Sequence, residues 1–236
     1  MKNSYILLLI LLSIASPLSA LDDDNDSFWQ EAANLADAST NWYPQKMSMI
    51  NREIDPKGQP AKTDEIDIDI ILSTNGKQES KITRYIQNGK DITETKQKEA
   101  LKKSPNSNNQ QFSMNAFDGN LFARSEMSNL SYSFLTNIME NNTNYKIYSF
   151  QKKIQKNQSI KGVVWFNIKK KVPVKSIYVL DPLPQMMTSF TNICIYQNQT
   201  QDLLLMDQIQ IEAAGSFLFQ KIHFISLIQF AQYEKK

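Results

Sequence analysis

The chain is poor in the residues that most chemical sites need. Its 236 residues include one cysteine, Cys194, and one histidine, His223. A single cysteine cannot form an internal disulfide, and these two side chains are too few for a familiar zinc site. With six glycines in all, the chain has no Gly-x-Ser-x-Gly elbow, no phosphate-binding glycine loop and no dinucleotide fingerprint. We therefore expect no metal, no cofactor and no enzymatic activity.

Net charge is also nearly absent. The 26 Lys and Arg residues stand against 24 Asp and Glu residues, which gives a formal charge of +2. So small a balance provides no long-range field toward nucleic acid or an anionic membrane. The sequence therefore predicts no nucleic-acid partner.

Long hydrophobic runs are missing except at the N-terminus. There, Lys2 precedes an apolar run from Tyr5 to Leu12, and small residues follow up to Ala20. This order is typical of a secretory signal peptide, and the run is too short to span a bilayer; an uncleaved anchor helix is the alternative. We expect a signal peptide at 1–20 with cleavage near Ala20, and a soluble periplasmic product. Residues 21–236 are predicted to form one domain and a monomer.

The start of the mature chain predicts a short helix. The acidic run 22–26 lacks the glycine and the final glutamate of a calcium loop, so a frayed terminus is expected. Ser27 and Gln30 fit a capping box. The apolar face of this helix consists of Phe28, Ala32, Leu35 and Ala36 at helical spacing, with Trp29 beside them. The helix either packs on a sheet as ordinary core or acts as a lid over a concave apolar surface.

After Pro44 the pattern becomes that of strands. Residues 46–54 predict a first strand, and residues 66–72 alternate isoleucine with Asp67 and Asp69. The two aspartates could act as paired acid–base carboxylates, but a position on the solvent side of a strand explains them without chemistry. Asn75-Gly76 and Asn88-Gly89 predict turns. Ile82 and Ile86 are predicted to share a face with Arg84.

The middle of the chain is polar and then returns to strands. Residues 93–111 predict a short solvated helix followed by a loop over the rim of the sheet. Residues 130–135 and 145–150 predict a pair of strands joined across residues 141–144.

The C-terminal third predicts the centre of the fold. Residues 160–233 read as four or five apolar strands separated by short turns. Cys194, between two isoleucines, is expected to be a buried small hydrophobe. His223 is expected on the solvent face of the last strand.

The order of motifs in this third resembles the outer-membrane lipoprotein-sorting (LolA-like) proteins of bacteria, in a divergent branch. The resemblance covers roughly residues 117–233 and, more loosely, 46–86. The residues that carry it are Phe117-Asp118, Gly162-Val163-Val164-Trp165, Val172-Pro173-Val174-Lys175, Asp181-Pro182-Leu183-Pro184, Tyr196, Gly215-Ser216-Phe217-Leu218-Phe219 and Phe230-Ala231-Gln232-Tyr233.

The resemblance implies a mainly β (α+β) fold, in which about eleven antiparallel strands form an unclosed barrel with helices over its apolar mouth. It also implies a periplasmic carrier or chaperone that shields a lipid or a lipoprotein acyl chain and works with inner- or outer-membrane sorting proteins. The family's carriers hold their lid with an arginine near an early strand. This chain has Arg52, Arg84 and Arg124, none in a matching aromatic context, so we assign no lid arginine.

Two functions remain open at this point. For a carrier, the predicted ligand-binding residues of the lid and the sheet are Phe28, Trp29, Leu35, Ile68, Ile70, Ile82, Trp165, Phe190, Tyr196, Leu205, Ile209 and Phe224. Each of them could equally belong to a closed core. The alternative is an envelope interaction or scaffold protein that uses the sheet edges and the 93–111 loop to bind a protein partner.

Overall fold

The computed structural model describes residues 23–73, 78–102, 121–197, 202–217 and 220–236. The helices are α1 (Asp23–Ser39), α2 (Thr93–Lys102) and a short 3-10 helix (Arg124–Asn129). The strands are β1 (Trp42–Ile54), β2 (Pro60–Leu72), β3 (Gln78–Gln87), β4 (Lys90–Asp91), β5 (Leu130–Glu140), β6 (Thr143–Gln155), β7 (Gln158–Asn167), β8 (Val172–Asp181), β9 (Met187–Tyr196), β10 (Met206–Phe217) and β11 (Gln220–Lys235).

All eleven strands form one antiparallel sheet in the order β4-β3-β2-β1-β11-β10-β9-β8-β7-β6-β5. Neighbouring strands of the sheet are consecutive in the chain except at one place, where β1 pairs with β11. Because β4 and β5 lie at opposite ends of this order, the sheet is not closed. The prediction of an unclosed antiparallel sheet of about eleven strands is confirmed, and the four or five strands expected in residues 160–233 are five.

The turns form where the sequence predicts them. Asn88 and Gly89 have φ of 50° and 79°, as the tight turn between β3 and β4 requires. Asn141 and Asn142 also have positive φ, 49° and 59°, and join β5 to β6. Between β1 and β2, the side chain of Asp55 accepts hydrogen bonds from two backbone N–H groups of its own turn.

The alternation predicted for β2 places its isoleucines on one face of the sheet. Ile70 is buried in the core and Ile68 packs against it, whereas Asp67 pairs with Arg84 on the other face. The predicted common face of Ile82 and Arg84 is wrong. Ile82 lies opposite Ile68 and Arg84 lies opposite Asp67, so a bulge adds one residue to β3 between them and inverts the alternation.

Helix α1 begins four residues before the predicted cap. Ser27 therefore lies inside the helix, which starts at Asp23. Because a residue inside a helix has helical backbone angles, Ser27 is not an N-cap and the predicted capping box is wrong. The predicted apolar face is confirmed: Phe28, Ala32 and Leu35 are buried.

Nearly all of the core lies between α1 and one face of the sheet, which we call the concave face. One hydrophobic cluster contains residues of α1, of β1 and β2, and of every strand from β6 to β11. A twisted sheet of this many strands curls instead of staying flat. In the described part of the chain, the opposite, convex face carries a small second cluster around Val163 and Ile177.

Helix α2 is solvated, as predicted, and protects one edge of the sheet. The hydroxyl of Thr93 accepts a hydrogen bond from the Tyr85 N–H, and the side chain of Gln97 donates one to the Ile82 carbonyl oxygen. No helix among the described residues is long and apolar enough to cross a membrane. The predicted signal peptide, the Asn75-Gly76 turn, most of the loop after α2 and Phe117-Asp118 lie outside the described residues.

Candidate functional site: the concave face

An aromatic cluster fixes α1 on the sheet. Trp29 has no exposed surface, and its ring stacks on Tyr132 with centroids 4.6 Å apart. Phe28 meets Phe166 edge-on at 5.6 Å. The remaining rings within 6.4 Å of Trp29 belong to Phe122, Tyr148, Phe150 and Phe166. Edge-on and stacked pairs of this kind add to the stabilisation from burial.

Polar contacts also hold the second half of α1. Arg124 places its Nε 2.8 Å from Asp37 Oδ2 and its Nη2 2.5 Å from Asn34 Oδ1. At the end of the helix, the hydroxyl of Ser39 accepts a hydrogen bond of 2.7 Å from the Leu204 N–H. The helix is thus tied both to the segment before β5 and to the segment before β10.

The concave face is built from rows of cross-strand neighbours. One row crosses nine strands and is apolar except for one serine: Ile66, Met49, Ile228, Ile209, Cys194, Ser176, Val164, Tyr148 and Phe134. The adjacent row contains Gly162 opposite Tyr178. A Cβ on Gly162 would lie 2.8 Å from the Tyr178 Cβ, so this position requires glycine.

Part of this face is not buried. Met49, Ile68, Phe190 and Ile211 are partly exposed and pack against the core cluster, while Phe224 on β11 is 40% exposed. These five residues, which we call the half-exposed region, lie on β1, β2 and β9–β11. At the rim beyond Phe224, a cavity of about 480 Å³ is lined by apolar residues such as Ile54 and Ile222 and by the polar side chains of Asp55, Thr188, Ser216, Lys221 and His223.

The buried polar groups of the concave face satisfy one another. The Asn192 amide donates to the Tyr178 hydroxyl at 2.6 Å, and the Ser176 hydroxyl lies 3.0 Å from the Tyr196 hydroxyl. Such pairs avoid the cost of an unpaired buried polar atom. They leave the surrounding surface apolar and rigid.

Two lysines of β6, the strand next to β5, lie on the concave face. Lys146 Nζ lies 5.1 Å from the ring centroid of Phe28 and 5.3 Å from that of Phe134, distances that suit cation–π attraction. Lys152 is 1% exposed, with its Nζ 3.7 Å from Glu126 Oε2.

Two tyrosines close the junction of β1 with β11 and stay neutral. Burial raises the pKa of Tyr233, whose hydroxyl donates to the Met206 carbonyl oxygen at 2.6 Å. Burial also raises the pKa of Tyr43, and its hydrogen bond to Glu234 raises it further. Neither group supplies an acid or a base at neutral pH.

The structure brings most of the predicted site residues together. Phe28, Trp29, Ile70, Tyr196 and Ile209 are members of the buried cluster, and Ile68 and Phe190 pack against it. Ile82 lies opposite Ile68 on the same face. Phe224 is the most exposed member of the set on the concave face, and Leu35 is buried on α1 but lies outside that cluster.

Two predicted residues lie elsewhere. Trp165 belongs to the convex cluster with Ile147 and Val163. The prediction failed there because β7 is apolar on both faces, so its pattern does not fix the alternation. Leu205 precedes β10, where its carbonyl oxygen accepts a hydrogen bond from the Gln197 N–H, and it is buried without joining the concave rows.

Sequence reasoning missed the partners of α1 on the sheet. Lys146, Tyr148, Phe150 and Lys152 alternate with smaller residues on β6, and this period of two would have shown that they share a face. The helix-binding role of Arg124 had no signal in the sequence, since its partners are about ninety residues away in the chain.

Comparison with known proteins gives a likeness of fold. No family model and no curated protein sequence matches the chain. A LolA superfamily protein of Nitrosomonas europaea is similar over 89% of this chain and 93% of its own, at 13% identity and a TM-score of 0.40. An outer membrane lipoprotein-sorting protein domain of Vibrio parahaemolyticus is similar over 91% of both chains, at 10% identity and a TM-score of 0.40. A DUF1329 family protein of Desulfovibrio piger shares 9% identity over 89% of this chain and 92% of its own, with a TM-score of 0.39.

Because the identities and the TM-scores are low, the description of the fold rests on the strand order of the sheet itself.

Among the described residues, no three His, Cys, Asp or Glu side chains are grouped so that they could hold a metal ion.

The burial of Cys194 in the core can be tested with a thiol reagent. Its side chain has no exposed surface, and its Sγ lies 3.7 Å from Asn192 Oδ1. Because a thiol must be accessible and ionised to react, we expect a disulfide reagent to leave the native protein unmodified and to modify one thiol per chain after denaturation. Reaction of the native protein at the rate of the denatured chain would contradict this placement.

Proposed function

We propose that the protein is a carrier that binds an acyl chain of a lipid or a lipoprotein on its concave face, without catalysis. The observation that carries this proposal is the continuation of the apolar lining past the part that α1 buries. A closed core would end where its residues become solvated, whereas here the rows continue into Met49, Ile211 and Phe224, which remain partly exposed.

The chemistry of this region suits an alkyl chain. Its exposed side chains are aliphatic or aromatic, and apolar contact stabilises a bound chain by about 0.8 kcal/mol for each buried methylene group. The adjoining cavity of about 480 Å³ is within the range of small-molecule sites. Asn51 and Ser226, neighbours of Ile211 in the second row, place polar side chains where a head group could contact them.

Helix α1 covers the other end of this surface. We propose that it closes the bound chain off from water at that end, as a lid with an aromatic anchor. Leu35 is a poor site for testing this role, since it is 4% exposed and a charge there would destabilise the fold.

We further propose that residues 1–20 direct the protein across the inner membrane and that it acts in the periplasm with membrane sorting proteins. Fractionation of a bacterium that expresses the full chain tests the proposed periplasmic localisation. We expect a shortened protein in the periplasmic fraction, and a full-length protein in the cytoplasm would contradict it.

Native mass spectrometry of the protein purified from a bacterial periplasm tests the carrier function. We expect an added mass that denaturation releases as a lipid or an acylated peptide. A protein that has no bound lipid and takes up no fluorescent fatty acid would contradict the proposal.

The scaffold alternative is favoured by one observation. At the free end of the sheet, β5 exposes Phe134, Leu135 and Met139, the last of them to 73%. An apolar edge strand can accept a strand of a protein partner. If lipid binding is absent, purification of a stable complex through this edge becomes the expected finding.

A further inference from the structure

The near-zero net charge conceals a strong separation of charge along the chain. Residues 141–180 hold nine lysines and no aspartate or glutamate. The rest of the chain is consequently net acidic. This stretch forms β6, β7 and most of β8, so the lysines are collected on three adjacent strands and their turns.

Two of these lysines lie on one area of the convex face, and two more lie in the turn that adjoins it. Val163 and Ile177 are paired neighbours in the convex cluster. Because side chains alternate along a strand, Lys161 and Lys175, each two residues away, point to the same side. Lys169 and Lys170 are exposed in the β7–β8 turn that follows Trp165.

The centre of this area is apolar. The convex cluster contains Ile147, Val163 and Ile177, with Ile138, Trp165 and Ile193 partly exposed around them. Lys175 Nζ lies 5.2 Å from the ring centroid of Trp165. At the margin of the area Lys161 pairs with Asp181. Asp181 is the first acidic residue after the lysine-rich stretch 141–180.

We propose that this surface, which we call the lysine face, docks the protein on an anionic lipid bilayer. It consists of Lys161 and Lys175 on the convex strands beside the half-exposed Trp165, together with Lys169 and Lys170 in the adjoining β7–β8 turn. Lysines near an anionic surface are attracted to the lipid phosphates, and tryptophan favours the boundary between head groups and acyl chains. A surface for nucleic acid presents basic side chains that contact phosphates. It has no need of an aliphatic cluster, so the apolar centre distinguishes the lysine face from such a surface.

The proposal for the lysine face does not rest on the proposed carrier function. It lies on the opposite side of the sheet from Phe190, Ile211 and Phe224, since Val163 and Trp165 alternate with the concave residues Val164 and Phe166. A protein docked through it keeps its concave face accessible. The two sites can therefore fail separately in experiments.

Cosedimentation with vesicles tests this surface. We compare vesicles of phosphatidylglycerol mixed with phosphatidylcholine against vesicles of phosphatidylcholine alone, using the variant Lys169→Gln/Lys170→Gln/Lys175→Gln. Each lysine near an anionic surface increases binding about fivefold, so the triple variant should bind the anionic vesicles roughly a hundredfold more weakly at low salt. Wild-type binding should also weaken as salt rises, because these charges are exposed to screening.

The matched control is Lys57→Gln/Lys81→Gln/Lys90→Gln, which removes three exposed lysines from the β1–β4 end of the sheet and equals the first variant in net charge. We expect the control to bind anionic vesicles as wild type does, and both variants to retain wild-type circular dichroism. Equal losses in the two variants would overturn the lysine face as a specific surface. Equal binding to neutral and anionic vesicles, or binding to single-stranded DNA without binding to vesicles, would overturn a bilayer as its occupant.

Discussion

Phe224→Glu is expected to lower acyl-chain affinity by about tenfold or more, because it replaces an apolar side chain that must contact the ligand with a carboxylate. Phe224 is 40% exposed on the concave face and lies opposite Ala213 and Glu53. The new charge remains partly solvated in the free protein. Its cost therefore arises mainly when a ligand covers it. Titration with a fluorescent fatty acid measures the change.

Ile225→Glu is the matched control for this variant. Ile225 is the next residue of β11, is partly exposed and, by alternation, points to the convex face opposite Glu212. The two variants carry the same charge change one residue apart. If both bind the fatty acid equally well, the ligand does not occupy the concave face near β11.

Trp29→Ala is expected to destabilise the protein by about 3–5 kcal/mol, which is the cost of removing a large buried aromatic side chain. Trp29 has no exposed surface and is in contact distance of rings from three strands and from Phe122. For a chain of this size the loss corresponds to a fall in Tm of roughly 10 °C. Thermal and urea unfolding followed by circular dichroism measure it.

Two further variants show whether the loss comes from the helix–sheet cluster. Trp29→Phe should cost clearly less than Trp29→Ala, since it keeps most of the ring contacts and removes an indole N–H that is buried without a hydrogen-bond partner. Trp42→Ala removes a partly exposed tryptophan at the start of β1 and should cost about 1–2 kcal/mol. Equal losses for Trp29→Ala and Trp42→Ala would show that α1 is not anchored through Trp29.

Local patterns in the sequence predicted the positions of the helices and strands well. They predicted less well which side chains lie on each face of the sheet. Residues 66–72 alternate between apolar and charged side chains, so their two faces could be assigned before the structure was known. Trp165 could not be assigned in this way, because β7 is apolar on both sides of the sheet. Ile82 and Arg84 were wrongly predicted to share a face, since a bulge, which depends on the partner strand, inverts the alternation between them.

Long-range features had the weakest signals. The pairing of Met47 with Phe230 joins the two ends of the chain, and nothing in either segment alone specifies the other. The contact of Arg124 with Asp37 is of the same kind. The lysine-rich stretch 141–180 was visible in the sequence, but the total charge of +2 concealed it. Charge must be counted by segment before an anionic partner is excluded.

The concave and convex faces suggest a division of tasks in the proposed carrier. An acyl chain on the half-exposed region would be carried on one side of the sheet, while the lysine face would bring the other side to a bilayer. The sheet between them is held by cross-strand pairs along its full width, so neither face needs to rearrange when the other is occupied.

Photocrosslinking with a fatty acid that carries a diazirine near its methyl end tests the central claim most directly. After irradiation, proteolysis and mass spectrometry locate the attached residues. The carrier proposal predicts adducts on the half-exposed region of Met49, Ile68, Phe190, Ile211 and Phe224, and their loss when unlabelled fatty acid competes. Adducts confined to the convex strands, or adducts that competition does not reduce, would contradict it.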